Sequence, residues 1–323
     1  MVIDLQDGQK TFRRPKLIFL GTGAAWRTPE LGCSCGICME MRRRGESRGR
    51  TALWFDGVAQ ILIDCGPDIT HQLEATHRDK PDLVLLTHEH GDHYLGLDEL
   101  EVFRRRRPAE GFVRIPVYAH PDSWETITVR FNYLMQSLLE KRLSLPGEPL
   151  AGLEFHDLSI TPFKTDHGPA PRGSVGYILE YTADGRRKRM AYTSDFKDIP
   201  DQRLLAAGVD VLVAPAQWFN EPDINRPNHM SLQRLIDFVA AWRPREHVYL
   251  VHISDGDSLP DEPVDAYMKK RPSADPLRHP ITGRIFPTPK NQEEWQAMAT
   301  AVFQAFGLSV PVTPAYDGLE VEI

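Results

Sequence analysis

The chain has 323 residues, 41% of them hydrophobic and 26% charged, which is the balance of a folded, water-soluble protein able to bury a large core. A net charge of −7 excludes a general attraction to nucleic acid or to an anionic membrane. No uninterrupted apolar stretch is long enough to span a bilayer.

Met1 to Lys16 is polar and mixed in charge, unlike a secretory signal, so a cytoplasmic location is expected. There the four cysteines serve as thiols or metal ligands, not disulfides. Residues 1–15 read as a loose N-terminal arm and 16–323 as a single domain. Lys16 to Leu20 is a short apolar strand ending at Gly21-Thr22-Gly23, and a loop carrying Cys33, Cys35 and Cys38 follows. Ala52 to Phe55 and Gln60 to Ile63 form a hairpin around Asp56-Gly57. Ile69 to His77 has helical spacing, and Asp82 to Leu86 is a continuous apolar run, as in a strand covered on both faces. Leu95 to Arg106 reads as an amphipathic helix. The cationic runs Arg42 to Arg44 and Arg104 to Arg107 read as solvated helix faces.

The second half repeats this grammar. Strands are predicted at Ile115 to Tyr118, Leu158 to Phe163, Gly176 to Tyr181, Arg189 to Thr193, Val209 to Ala214 and Val248 to Val251. Ser231 to Ala241 is a helix with Ser231 as its N-cap. Strands alternating with helices make the class α/β. Gly256 to Pro314, rich in proline and charge, reads as an insertion or lid-like segment.

Between the Asp82 strand and the Leu95 helix lies Thr87-His88-Glu89-His90-Gly91-Asp92-His93. His88 and His90, two apart on extended chain, point the same way, and Asp92 and His93 can turn back towards them. Imidazole and carboxylate suit divalent Zn, Mn or Fe. Four ligands so close exceed what one catalytic ion takes from a protein, so two ions are expected. Further ligands must come from distant sequence. His167, Asp195 and His252 each stand just past a predicted strand, where α/β folds place their chemistry.

His88-x-His90-x-Asp92-His93 followed by His167, Asp195 and His252 in that order resembles the metallo-β-lactamase superfamily. The resemblance covers most of residues 16–255 and the last strand near Asp317 to Ile323. It implies a four-layer αββα sandwich of two pseudo-equivalent halves, with the metals along one edge. By analogy His88, His90 and His167 hold one ion, Asp92, His93 and His252 the other, and Asp195 bridges them. Asp64 matches a carboxylate that orients a metal-bound histidine, or else is a turn residue before Gly66-Pro67.

Three thiols on Gly32-Cys33-Ser34-Cys35-Gly36-Ile37-Cys38 suit a closed tetrahedral zinc with one more ligand from elsewhere, the alternative being free buried thiols. Cys65 reads as a small core residue. With Gly21-Thr22-Gly23, the histidine of Arg226-Pro227-Asn228-His229 and the terminal Tyr316-Asp317-Gly318-Leu319-Glu320, this loop is similar to the phosphoribosyl 1,2-cyclic phosphate phosphodiesterases of phosphonate breakdown. In that family the cysteines hold a structural zinc and the histidine matching His229 serves the leaving group. Its fourth zinc ligand is a histidine where this chain has Asp255, so Asp255 is the expected substitute, with Asp257 and His279 as alternatives.

What the resemblance implies is hydrolysis of a small or cyclic phosphodiester. Two catalytic divalent ions would share a nucleophile oriented by Asp195, with His229 as the acid for the leaving group and Arg172 or Arg226 as candidate phosphate grips. The partners expected are that substrate and, at most, a second copy of the chain in a homodimer. Two rival readings are an RNA-processing nuclease of the tRNase Z kind and a non-hydrolytic accessory protein of quinone cofactor synthesis. The acidic balance argues against the first and the complete ligand set against the second.

Overall fold

Alternation along β1 (Lys16–Gly21) assigns two faces at once: Leu17 and Phe19 point to one side, Ile18 and Leu20 to the other, and all four are buried. A strand buried on both faces needs a layer on each side. The computed structural model, which describes residues 14–106, 111–225, 228–260, 262 and 268–323, supplies them. One sheet has the order β13-β1-β2-β3-β4-β5-β6, built from β1, β2 (Ala52–Asp56), β3 (Gln60–Ile63), β4 (Leu83–Leu85), β5 (Ile115–Ala119), β6 (Leu139–Leu143) and β13 (Leu319–Glu322). The other has the order β12-β11-β10-β9-β8-β7, from β7 (Leu158–Lys164), β8 (Val175–Ala183), β9 (Arg186–Tyr192), β10 (Val211–Pro215), β11 (His247–Val251) and β12 (Val312–Pro314).

Both sheets are antiparallel through their first strands and parallel through their later ones, which is the pseudo-equivalence of the two halves. The parallel strands β4, β10 and β11 read as near-continuous apolar runs because helices cover their outer faces. Leu17, Phe19, Leu53, Phe55, Ile61 and Ile63 meet Ile160, Tyr177, Leu179, Met190 and Val213 between the sheets. Outside the first sheet, Ile18, Trp54, Leu62 and Val84 pack with Ile69 and Leu73 of α2 (Ile69–Ala75) and Trp124 and Ile127 of α5 (Pro121–Phe131). Outside the second, Leu212, Val248 and Leu250 pack with Leu235, Val239 and Trp242 of α7 (Leu232–Trp242). Trp295, Val302 and Phe303 of α8 (Gln292–Ala305) join them. The layers are αββα. No helix among the described residues is long and apolar enough to cross a membrane.

The structure departs from the sequence reading in four places. The cysteine loop opens a helix, α1 (Gly36–Arg44), with Cys35 as its N-cap. The expected helix from Leu95 to Arg106 is broken: α3 (Gly91–Tyr94) is followed by a 3₁₀ turn at Leu97–Leu100 and then α4 (Glu101–Arg105). Strand β6 was not foreseen, because Leu139–Leu143 (LEKRL) is an edge strand with one exposed, charged face. The segment 256–314, expected as an insertion, holds α8 and β12, which belong to the packed core and to the second sheet. A last short helix, α6 (Arg203–Ala206), precedes β10. Residues 1–13 of the expected N-terminal arm, and Arg107, lie outside the described residues.

The turn after β3 lies directly against the histidine motif. Cys65 N donates to His93 O at 2.7 Å, and Gly96 N to Cys65 O at 2.9 Å. A Cβ on Gly66 would stand 2.1 Å from Asp92 O, so only glycine permits this approach. Gly66→Ala is therefore expected to destabilise the protein by roughly 1–3 kcal/mol and to lower its content of bound divalent metal. Denaturant unfolding and elemental analysis check this; an unchanged midpoint with full metal content overturns it.

Candidate metal centre

Strand ends from both sheets converge at one edge of the sandwich. Beyond β4 the chain stays extended through His88 and His90, then turns into α3, whose first turn carries Asp92 and His93. His167 follows β7, Asp195 follows β9 and His252 follows β11. One ligand atom each from His88, His90 and His167 can lie within 4.8 Å of one another, and the same holds for Asp92, His93, Asp195 and His252. Asp195 Oδ2 stands between the two groups. It is 3.0 Å from His252 Nε2, 3.3 Å from His93 Nε2, 3.9 Å from His167 Nε2 and 4.0 Å from His88 Nε2.

The outward-facing ring nitrogens show which lone pairs point inward. His93 Nδ1 donates to Asp64 Oδ2 at 2.8 Å, and His167 Nδ1 to the Asn228 carbonyl at 3.1 Å. His90 uses its other nitrogen, Nε2, on the Ala170 carbonyl at 2.8 Å. His88 Nδ1 meets Thr87 Oγ1 at 3.0 Å, and that hydroxyl itself donates to Asp64 at 2.9 Å. A carbonyl or carboxylate can only accept, and the Thr87 hydroxyl spends its own proton on Asp64, so each of these four rings carries a proton outward and turns its other nitrogen to the centre. Asp64, fully buried, governs two of these rings, one directly and one through Thr87. It also accepts from Thr87 N at 2.9 Å.

Five buried atoms of this centre, His88 Nε2, His93 Nε2, Asp195 Oδ2 and both ring nitrogens of His252, have no hydrogen-bond partner, and neither does His229 Nδ1 beside them. Each such orphan costs about 1–3 kcal/mol, so a cluster of them facing one point is the imprint of a cation. The donor set of neutral imidazole and carboxylate fits divalent ions. The electrostatics agree. Burial drives His88 and His229 well below the usual imidazole range, and His167 to about 4. His252, against the pull of burial, is raised to about 9 by Asp195, and His93 is raised by Asp92, Asp64 and Asp195. Asp92 and Asp195 stay well below the carboxylate range despite their own burial, because His93 and His252 face them. Two imidazoles thus hold protons where a metal would displace them.

His229 completes this wall. Its ring stacks on His252 with centroids 5.0 Å apart and lies 4.6 Å from His167, and its Nδ1 is 3.6 Å from Asp195 Oδ2. The Arg172 guanidinium is paired with Glu125, while its backbone N–H donates to Glu89 at 2.7 Å. Glu89 also accepts from Ser123 Oγ at 2.6 Å, so it stitches the loop before β8 to α5. Arg226 lies outside the described residues. Sequence reasoning missed Thr87, Glu89 and the carbonyls of Ala170 and Asn228. Only the Thr87 hydroxyl, next to the motif, left a signal that could have been read.

A second cluster gathers Cys33, Cys35, Cys38 and Asp255 within the same ligand spacing. Cys38 Sγ lies 2.7 Å and Cys35 Sγ 3.7 Å from Asp255 Oδ2. The Cys35 thiol is lowered to about 6, chiefly by its hydrogen bond from Cys38, and that same bond raises Cys38. Three sulfurs and a carboxylate fit a tetrahedral zinc. Lys269 Nζ pairs with Asp255 and with Glu30, the latter at 3.1 Å. The two alternative ligands lie elsewhere. Asp257 accepts from the Phe219 and Asn220 amides at 2.8 and 3.1 Å, and His279 stacks on Phe286. Cys65 is buried in the core outside the first sheet.

Residues 59–253 match the family described as the Beta-lactamase superfamily domain. An octanoyltransferase of Porphyromonas gingivalis is 30% identical over 263 residues, 77% of this chain and 48% of that protein. A ribonuclease Z of Thermococcus sibiricus is 30% identical over 174 residues, 51% of this chain and 47% of that protein. The chain therefore spans about half the length of each of these two relatives. The crystal structure of a diphosphatase from the PhnP family superposes with a TM-score of 0.68 at 24% identity, over 96% of this chain and 98% of that one.

Asp64→Ala frees two inward-facing rings at once. It is expected to weaken divalent-metal binding at the histidine centre by about 10- to 100-fold while sparing metal at the cysteine cluster. A competitive chelator titration with elemental analysis separates the two; equal affinity in variant and parent removes Asp64 from the site.

Proposed function

This chain belongs to the metallo-β-lactamase superfamily, and from that premise we propose that it is a phosphoric diester hydrolase acting on a small or cyclic phosphodiester. The observation that carries the reading is the place of Asp195 Oδ2, one unpartnered buried oxygen facing ring nitrogens from two separate ligand groups. His88, His90 and His167 would hold one divalent ion and Asp92, His93 and His252 a second, with Asp195 shared. Zinc or manganese suits these donors, and iron is compatible with them; zinc suits the cysteine cluster. Such a pair, when bound, lowers the pKa of water and polarises a phosphoryl oxygen.

The protein's own groups do the rest. Asp64 and Thr87 fix the rings of His93 and His88, and the Asn228 and Ala170 carbonyls fix those of His167 and His90, so the site needs no reorganisation when charge develops on phosphorus. Burial of His88, His93, His167, Asp195 and His252 strengthens each charge interaction among them. His229 holds the proton for the departing alkoxide, a poor leaving group without one. Burial lowers the His229 imidazole well below its usual range, and the negative charge of a phosphodiester seated beside it acts in the opposite direction. The Arg172 guanidinium is committed to Glu125, which supports assigning substrate charge to the metal centre and not to that side chain.

The fully loaded protein is expected to carry three metal equivalents, two at the histidine centre and one at the cysteines. It is expected to hydrolyse bis(p-nitrophenyl) phosphate and small cyclic diesters. His88→Ala loses metal and activity together, whereas His229→Ala retains metal and loses about 10²- to 10⁴-fold in turnover of diesters with alkoxide leaving groups. Elemental analysis with a diester panel measures all of this. A loaded protein inert towards every diester sinks the reading. Cleavage of structured RNA with no turnover of small diesters moves it to the chemistry that the ribonuclease Z relative's name describes.

A further inference from the structure

His229 reaches the centre from a segment whose backbone is held by side chains that play no part in binding metal. The Asn225 amide brackets His229 on both sides: Oδ1 accepts from His229 N at 3.0 Å, and Nδ2 donates to His229 O at 2.7 Å. The same Nδ2 donates to Glu221 Oε1 at 2.9 Å. The other oxygen of Glu221 accepts from Ser231 Oγ at 2.6 Å, and its backbone N–H donates to Gln233 Oε1 at 2.8 Å. Ser231 is in turn the N-cap of α7, accepting from Arg234 N at 3.2 Å. Glu221 therefore anchors Asn225 to the start of a helix that is packed on the second sheet.

Asn228, immediately before His229, has φ +68°, in the left-handed region that asparagine tolerates better than most residues with a side chain. Its carbonyl orients His167, and its side-chain amide lies so close to Gly168 that a Cβ there would stand 2.0 Å from Nδ2. This turn aims one carbonyl at His167 and the next side chain at the reacting centre. The bracket from Asn225 grips the second of these, through the N–H and C=O of His229, and makes no bond to the Asn228 carbonyl.

We infer that Asn225, anchored by Glu221, is a positioning residue that sets the His229 ring against His252 and Asp195. This rests on the reading of His229 as the proton donor. Asn225 touches neither substrate nor metal in this scheme; it acts through the backbone of the residue that does.

The test has one arm that needs no turnover. In histidine-labelled protein, with the His229 ring signals assigned by their loss in His229→Ala, Asn225→Ala is expected to shift those signals. Unmoved signals overturn the inference whatever the enzyme hydrolyses. The second arm compares leaving groups. Asn225→Ala is expected to lower kcat about tenfold on diesters with alkoxide leaving groups and to leave p-nitrophenolate release within about twofold, because that group departs without an acid. KM and metal content stay unchanged. Glu221→Gln keeps an acceptor oxygen for Asn225 but turns an amide donor towards Ser231 Oγ, so it is expected to lose less kcat than Glu221→Ala, which follows Asn225→Ala. Added to His229→Ala, Asn225→Ala costs nothing further in kcat. Equal loss on both substrate types means a merely structural role and defeats the inference. The two failures are distinct: if His229→Ala itself shows no leaving-group dependence, the proton-donor reading fails with it, whereas dependence in His229→Ala without dependence in Asn225→Ala defeats the positioning role alone.

Discussion

A single buried carboxylate oxygen, Asp195 Oδ2, lies 3.0–4.0 Å from four imidazole nitrogens and is hydrogen-bonded to none of them. Such an arrangement is unstable by itself and must be imposed. The imposition comes from the sandwich: β9 and β11 deliver Asp195 and His252 from one sheet, and β4 delivers the histidine motif from the other. The backbone bears strain to do it. Asp64, Ser194, Asn228 and His252 all adopt positive φ, at about 1–2 kcal/mol each for Ser194 and His252 and less for the aspartate and asparagine. All four border the centre. The apolar layers between and outside the sheets over-determine these turns, which is how strain persists at a working site.

Much of this was legible in the amino-acid order. Alternation at Leu17 to Leu20 and unbroken apolar runs at β4, β10 and β11 expose their burial directly, and a polar residue that ends such a run must sit at a sheet edge. That is why His167, Asp195 and His252 could be proposed together from positions far apart. The illegible part is of a different physical kind. The ring orientations of His90 and His167 depend on the carbonyls of Ala170 and Asn228, and a carbonyl has no letter in the sequence. Strand β6 was missed because charge on its exposed face breaks the apolar pattern, and helix α8 because it closes a proline- and charge-rich stretch read as one insertion, although Trp295, Ala299, Val302 and Phe303 mark its buried face. The pairing of Lys269 with Asp255 joins positions in a proline- and charge-rich stretch with no periodicity to read.

The two ligand clusters are joined by a short run of chain and hydrogen bonds. Asp255 faces the cysteines, and Asp257, two residues on, holds the amides of Phe219 and Asn220. Glu221 follows directly. Lys270, buried, ties the carbonyls of Asp255 and Asp257 together at 2.9 and 2.8 Å. Glu262 caps the first amide of α1 and pairs with the same lysine. A site built from sulfur and a site built from imidazole thus share a rigid border, in which the residues around Asp255 form the common wall.

The pairing of β13 with β1 reaches across some three hundred positions, Lys16 standing opposite Glu322. The whole of the second sheet, β7 to β12, lies between these two partners in sequence. Without Leu319–Glu322 against it, β1 would present a bare row of amides and carbonyls along one flank, an edge open to pairing with the wrong neighbour.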